Sequence, residues 1–492
     1  MSRVISDPRP VNPETASGPR PPPTAAQGRI QDAIGRTLIV IFVTKPVIDL
    51  FWQFYFFIGP IRLSPTTVIG FLIVVYFLPF RFKYAQYAPP FARIFEAFIA
   101  LNLACVVIGL ATDPHARPAA AFDTLIRILG CYLVFFCTYA AARRFQYTTS
   151  GPFIRSMVIG TALAVIINLL AIKLGYGGAK FGSSLSGPYR EAGLYFDPGS
   201  LGAFALYNLI FTVFYLHFTK RRKALWLLVI VAFALIDLYL MALSGSRAPM
   251  VQLAIAALVY AWYLRGWGRI AAPVVAVLLL MSTGALLVDQ PGNVFERFQG
   301  DIAALESDAP GVSESTSGDV SLGRFEALGN NRGMLWANAL TAIFRQSMPE
   351  IIFGSYFSRI RAHSDYIDIL ARNGVVGLGL YVLLIYGLCV KTLALARVST
   401  EGDRRTTQAL AGLLLACYAF YCFPFRPLLY TTTNWYMWAI VGLALAGVSR
   451  KTTPAVAGRS GDNARTSPSV AAPRPGSSVN WQAGSAGPVR RN

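Results

Sequence analysis

Long apolar runs, broken by short polar stretches, set the pattern of this chain from about residue 37 onward. About 20 residues of helix span the ~30 Å hydrocarbon core of a bilayer. The runs predict helices near 37–58, 65–80, 94–112, 122–142, 153–174, 198–218, 224–243, 249–264, 270–289, 375–390, 407–424 and 432–449. The expected fold is an all-α integral membrane protein of about 12 transmembrane helices. Nine of these fall in residues 36–289 and three in 375–449, with one large extramembrane insertion at 290–374 between them. Within the insertion, 308–322 is acidic and of low complexity, whereas 331–346 and 363–373 repeat at helical spacing and predict short helices. Residues 1–35 and 450–492 are rich in Pro, Ala, Ser and Arg, so both are read as disordered tails. The first has no apolar stretch long enough for a signal-peptide core.

Composition agrees with a bilayer as the solvent. The chain has 492 residues, 54% hydrophobic and only 14% charged, where a soluble domain carries roughly a quarter charged. The formal charge of +20 raises nucleic acid as a partner, but that requires a basic face on a soluble domain, and the basic residues sit in the breaks between apolar runs. With the N-terminus inside, 28 of the 44 Lys and Arg fall on the cytoplasmic side, sixteen of them in short charge-dense loops. The positive-inside rule therefore puts both termini in the cytoplasm and 175–197, 244–248 and 290–374 on the opposite face. All six cysteines lie in apolar runs without a CxxC pair, so neither a disulfide framework nor a metal site is expected.

The outer segments concentrate the polar chemistry. The first reads Gly187-Pro188-Tyr189-Arg190-Glu191-Ala192-Gly193, then Asp197-Pro198-Gly199. The second is the turn Ser244-Gly245-Ser246-Arg247. The third holds Arg324, Asn331-Arg332-Gly333 with Trp336, Arg359, Arg361-Ala362-His363-Ser364-Asp365-Tyr366, and Arg372-Asn373-Gly374. Of three histidines, only His363 lies in this arginine-rich region; His115 sits in a short outer loop and His217 at the cytoplasmic end of a run. Arg359 is read as a lipid-headgroup contact. Inside the runs, Lys45 and Asp49 are four apart and pair on one helix face, while Glu96, Arg127 and Asp237 have no partner that sequence alone assigns.

These pieces, in this order and on one face, resemble the O-antigen ligase and polymerase family of bacterial cell-envelope glycosyltransferases. The resemblance rests on the Arg–Gly–Asp-Pro segment at 190–198, Ser246-Arg247, Arg332 through Trp336, and His363-Ser364-Asp365-Tyr366 before Gly374-Val375-Val376-Gly377. Many members carry Asn after the histidine, where this chain has Ser364. The resemblance implies a bacterial inner-membrane enzyme whose large loop is periplasmic. It implies transfer of a glycan from undecaprenyl diphosphate to a sugar hydroxyl.

That chemistry needs charge stabilisation on a departing diphosphate and a base for the attacking hydroxyl. Arginine binds phosphate oxygens in pairs and stays charged, so Arg190, Arg247 and Arg332 are the expected diphosphate ligands, with Arg324 and Arg361 in reserve. His363 is the expected base, with Asp197, Asp365 and Tyr366 in support; its other reading is a helix-start residue bonded to its own backbone. No cofactor or metal is expected. Polymerisation takes another lipid-linked repeat as acceptor, with a chain-length-control protein as a possible partner; ligation takes lipid A–core. A flippase for lipid-linked oligosaccharide is the competing class, although such transporters place their polar site near the bilayer midplane.

Overall fold

The computed structural model describes residues 25–51, 56–58, 61–114, 116, 118–145, 150–175, 181–183, 187–195, 197–218, 224–264, 328–356, 360, 362–429 and 431–447. The helices are α1 Ala25–Asp49, α2 Pro65–Lys83, α3 Ala92–Thr112, α4 Pro118–Phe145, α5 Ser150–Lys173, α6 Pro198–Phe218, α7 Ala224–Ser244 and α8 Arg247–Leu264. They continue with α9 Leu328–Phe344, α10 Met348–Phe353, α11 Asp365–Val398, α12 Gly402–Tyr421 and α13 Thr431–Ala446. Two short antiparallel hairpins, β1 Phe56–Ile58 with β2 Ile61–Leu63 and β3 Phe181–Ser183 with β4 Gly187–Arg190, and two single-turn 3-10 helices, Ala85–Tyr87 and Pro427–Leu429, complete the described elements.

Every expected span except 270–289, which lies outside the described residues, overlaps a helix. Among the described residues, seven helices are long and apolar enough to cross a membrane: α2, α3, most of α4, α5, α6, α8 and α11. By length and composition this is a multi-pass membrane protein. The burial of these helices orders them from centre to rim. In α4, 83% of the apolar window is buried, against 22% in α2, which leaves Phe71, Leu72 and Val75 exposed for lipid. α4 packs on α13, α2, α1 and α3, while α12 joins α11, α8 and α13. Aromatic rings fill the centre: Trp438 lies 4.7 Å from Phe95 and 5.9 Å from Phe135.

The first helix corrects two expectations. α1 begins at Ala25, inside the stretch read as a tail, and ends at Asp49, well short of residue 58. Ile34, Leu38 and Phe42 recur every fourth position and are fully buried, a helical stripe that extends beyond the apolar run itself. Phe56–Ile58, at the end of the aromatic stretch after α1, forms β1, in keeping with the preference of aromatic side chains for strands.

Among the described residues, the charges that the sequence places within spans have polar partners. Lys45 meets Asp49, which also accepts from Thr66 Oγ1 at 2.9 Å. Arg127 bonds Asp123 at 2.8 Å, and Glu96 is held by Arg81 and the Tyr132 hydroxyl. Asp237 accepts from the Asn208 amide at 2.8 and 3.0 Å, and Thr161 donates to the same Asn208 at 2.6 Å. A polar side chain in hydrocarbon is expensive unless it is partnered, and these contacts supply the partners that sequence alone did not assign.

The insertion between spans carries α9 and α10 ahead of α11. α10 opens at Ser347, whose N–H and hydroxyl both donate to Glu350 Oε2 at 3.0 and 2.8 Å. It then lies against α3, where Cys105 Sγ donates to Phe353 O at 3.3 Å. α11 bends at Gly374, whose φ is +64°. The bend brings the rings of Tyr366 and Tyr381 to 6.2 Å, although fifteen residues of straight helix would separate them by about 22 Å. A Cβ at Gly374 would sit 2.2 Å from Ile352 O, so glycine is required there for both conformation and space. Gly374→Ala should lower the thermal midpoint in detergent, reflecting about 1–3 kcal/mol of strain. The control Gly379→Ala, with open space beside it, should be neutral or gain up to about 1 kcal/mol. Equal midpoints for the two variants would contradict the bend.

Candidate functional site

The start of α11 is fastened to the turn that follows α12. The Asp365 N–H donates to Cys422 O at 2.9 Å and Phe425 O at 3.0 Å. Its carboxylate accepts from Leu428 N–H at 2.8 Å. Ser364 Oγ donates to Cys422 O at 3.1 Å, and Tyr366 OH to Ala419 O at 2.8 Å. Asp368, one turn along, forms an ion pair with Arg426 and accepts from Ala362 N–H at 3.3 Å. Asp365 and Asp368 also occupy the first turn of the helix, where the backbone dipole favours negative charge.

His363 stands at the edge of this junction. It is exposed and takes a left-handed backbone conformation, φ +52°. Histidine is among the few residues enriched in that region, and the flanking positions hold it there: Ala362 through Asp368 and Asp365 through the 422–428 turn. Ala362 O also accepts from the Trp336 indole at 3.0 Å, which ties α9 to the residue just before the histidine.

The 187–199 segment reaches the same end of the bundle. Glu191 N–H donates to Leu243 O at 3.1 Å, setting the residue after Arg190 beside the turn that precedes Arg247. Leu194 N–H donates to Asn168 Oδ1 at 2.7 Å, and Gly193 has φ +57° with Asn168 where a Cβ would lie. Asp197 caps α6, its carboxylate accepting from Ser200 N–H at 2.9 Å and Ser200 Oγ at 2.6 Å, with Pro198 at the first helical position. The opening of α6 meets the other segments through Tyr421 OH, which donates to Gly199 O at 3.3 Å. Ala203, Ala248 and Tyr421 pack together with Phe425 against them, so the first turn of α8 adjoins the turn that carries Arg426.

Arg247 is the half-buried first residue of α8. Arg190 ends β4 and Arg332 lies one turn before Trp336 on α9; their side chains are outside the described residues. Arg324, Arg361 and Arg359 lie wholly outside them, as does His115. His217 is at the opposite end of the bundle, 2.9 Å from Tyr260 OH. Asp197, Asp365 and Tyr366 fasten backbone and helix ends.

Three further side chains belong to this end. Arg426 and Asp368 form the pair already described, and Arg372 lies 5.9 Å from the ring of Tyr356. Burial pushes the Tyr356 phenol up, and the Arg372 charge opposes the rise. Arg426 stands in Phe423-Pro424-Phe425-Arg426-Pro427, on the same face as His363 by span parity. That parity was the available signal, while the pairing with Asp368 joins positions far apart in the chain. Among the described residues no group of three or more His, Cys, Asp or Glu is placed to hold a metal ion. The arrangement offers an exposed imidazole on a fixed backbone, next to segments rich in arginine. No protein-family model and no curated protein matches this chain.

Proposed function

We propose that this chain is a membrane glycosyltransferase that polymerises a surface polysaccharide on the periplasmic face of the bacterial inner membrane. Its donor is an oligosaccharide on undecaprenyl diphosphate, and its acceptor is a sugar hydroxyl of a second lipid-linked repeat. One observation carries the reading: the segments bearing Arg190, Arg247 and His363, and the helix bearing Arg332, adjoin at one end of a membrane-type bundle. Arg247 adds support because it opens a helix, where the dipole disfavours a cation.

In the proposed reaction the acceptor oxygen forms a bond to the anomeric carbon as the bond to the diphosphate breaks. His363 takes the hydroxyl proton. Arg190, Arg247 and Arg332 hold the departing diphosphate, whose charge grows as the bond breaks.

The test is extension of a defined undecaprenyl-diphosphate oligosaccharide by the purified full chain in liposomes. His363→Asn keeps a side chain suited to the left-handed backbone and removes the base, so folding should persist while transfer falls about 10²–10⁴-fold. Full activity in that variant would remove His363 from the chemistry. Arg190→Lys should lose about tenfold or more, because one ammonium cannot reproduce paired donors to phosphate. A wild-type rate would leave Arg190 only a generic charge role.

A further inference from the structure

The Arg426–Asp368 pair is a poor device for stability. Both groups are largely buried, with side-chain exposures of 18% and 9%. Arg426 Nε lies against the carboxylate, yet neither Nε nor Nη2 forms an aligned hydrogen bond to any described residue. A buried pair offsets its desolvation only when its hydrogen bonds are complete. The start of α11 is already fastened to the same turn by the amide and carboxylate of Asp365. Holding that helix in place therefore does not explain the pair.

What the pair adds is control of the residue before the histidine. Asp368 Oδ1 accepts from Ala362 N–H at 3.3 Å, and Ala362 is fully buried. The carbonyl of the same residue accepts from Trp336 on α9 at 3.0 Å. His363 thus turns through φ +52° between two fixed points. On one side Arg426 acts through Asp368; on the other the 422–428 turn bonds Asp365 directly.

We infer that Arg426 and Asp368 are positioning residues for transfer: their ion pair fixes the backbone on which His363 is presented and keeps it in register with α9. This rests on the reading of His363 as the base. The pair forms no bond to substrate, and its effect passes through Ala362. Arg426→Lys keeps a charge for Asp368, whereas Arg426→Gln and Asp368→Asn each leave one buried charge alone. The double variant Arg426→Gln with Asp368→Asn removes both charges, so it folds without an orphan.

The experiment combines kinetics with hydrogen–deuterium exchange on the full chain in detergent or liposomes. Arg426→Gln, Asp368→Asn and the double variant should lower kcat about 10- to 100-fold, the range expected for a misplaced catalytic group. KM for the undecaprenyl-diphosphate oligosaccharide should stay unchanged, and Arg426→Lys should recover much of the rate. In the same variants the peptide spanning 360–366 should lose exchange protection, with Arg426→Lys again close to wild type. Unchanged exchange at 360–366 in the double variant would overturn the inference. So would a raised KM with kcat intact, because Arg426 would then bind the ligand itself. The exchange measurement needs no substrate. A wild-type chain without transfer activity would therefore refute the glycosyltransferase reading and the kinetic half of this inference, while exchange still decides the latch.

Discussion

The amide and carboxylate of Asp365 are both spent on one turn, donating to Cys422 and Phe425 and accepting from Leu428. The candidate site is built outward from that fastening. It fixes where α11 begins, and so where His363 stands. Through Phe425 and Tyr421 it also fixes how the openings of α6 and α8 lie beside it. A loop can hold a catalytic group in place only when its backbone is tied at several points. Here the ties come from Trp336 on α9, from Asp368 within α11 and from the turn that follows α12.

The bilayer explains why these groups collect at an end of the bundle. Charges within the apolar helices are tolerated in pairs, as with Lys45 and Asp49 or Arg127 and Asp123. The arginine set proposed for a diphosphate could not be satisfied that way in hydrocarbon. It belongs where water and headgroups begin. The bend at Gly374 serves the same geometry, because it turns the first part of α11 across the bundle end before the helix descends beside α3.

Much of the fold was legible because helices of membrane length announce themselves by unbroken apolarity. The boundaries of α6 and α2 follow directly from Asp197-Pro198 and Ser64-Pro65. The start of α1 was hidden, since Ile30, Ile34 and Leu38 lie among polar residues that resemble a tail by composition. The site was legible only in its parts. Residue types and span parity single out Arg190, Arg247 and His363, but nothing local links Asp368 to Arg426, fifty-eight positions later. Likewise the left-handed conformation at His363 depends on tertiary bonds to Asp368 and the 422–428 turn, which no window of sequence contains.

Sidedness of labelling decides whether these segments share one face of the membrane. Single cysteines at 190, 247, 332, 363 and 398 would be placed in a chain whose six native cysteines are replaced. Each would be exposed to a membrane-impermeant maleimide in sealed vesicles of known orientation. The account predicts that the first four react from one side, while position 398, at the far end of α11, reacts only from the other. Reaction of position 363 from the side opposite to 190 and 247 would contradict it.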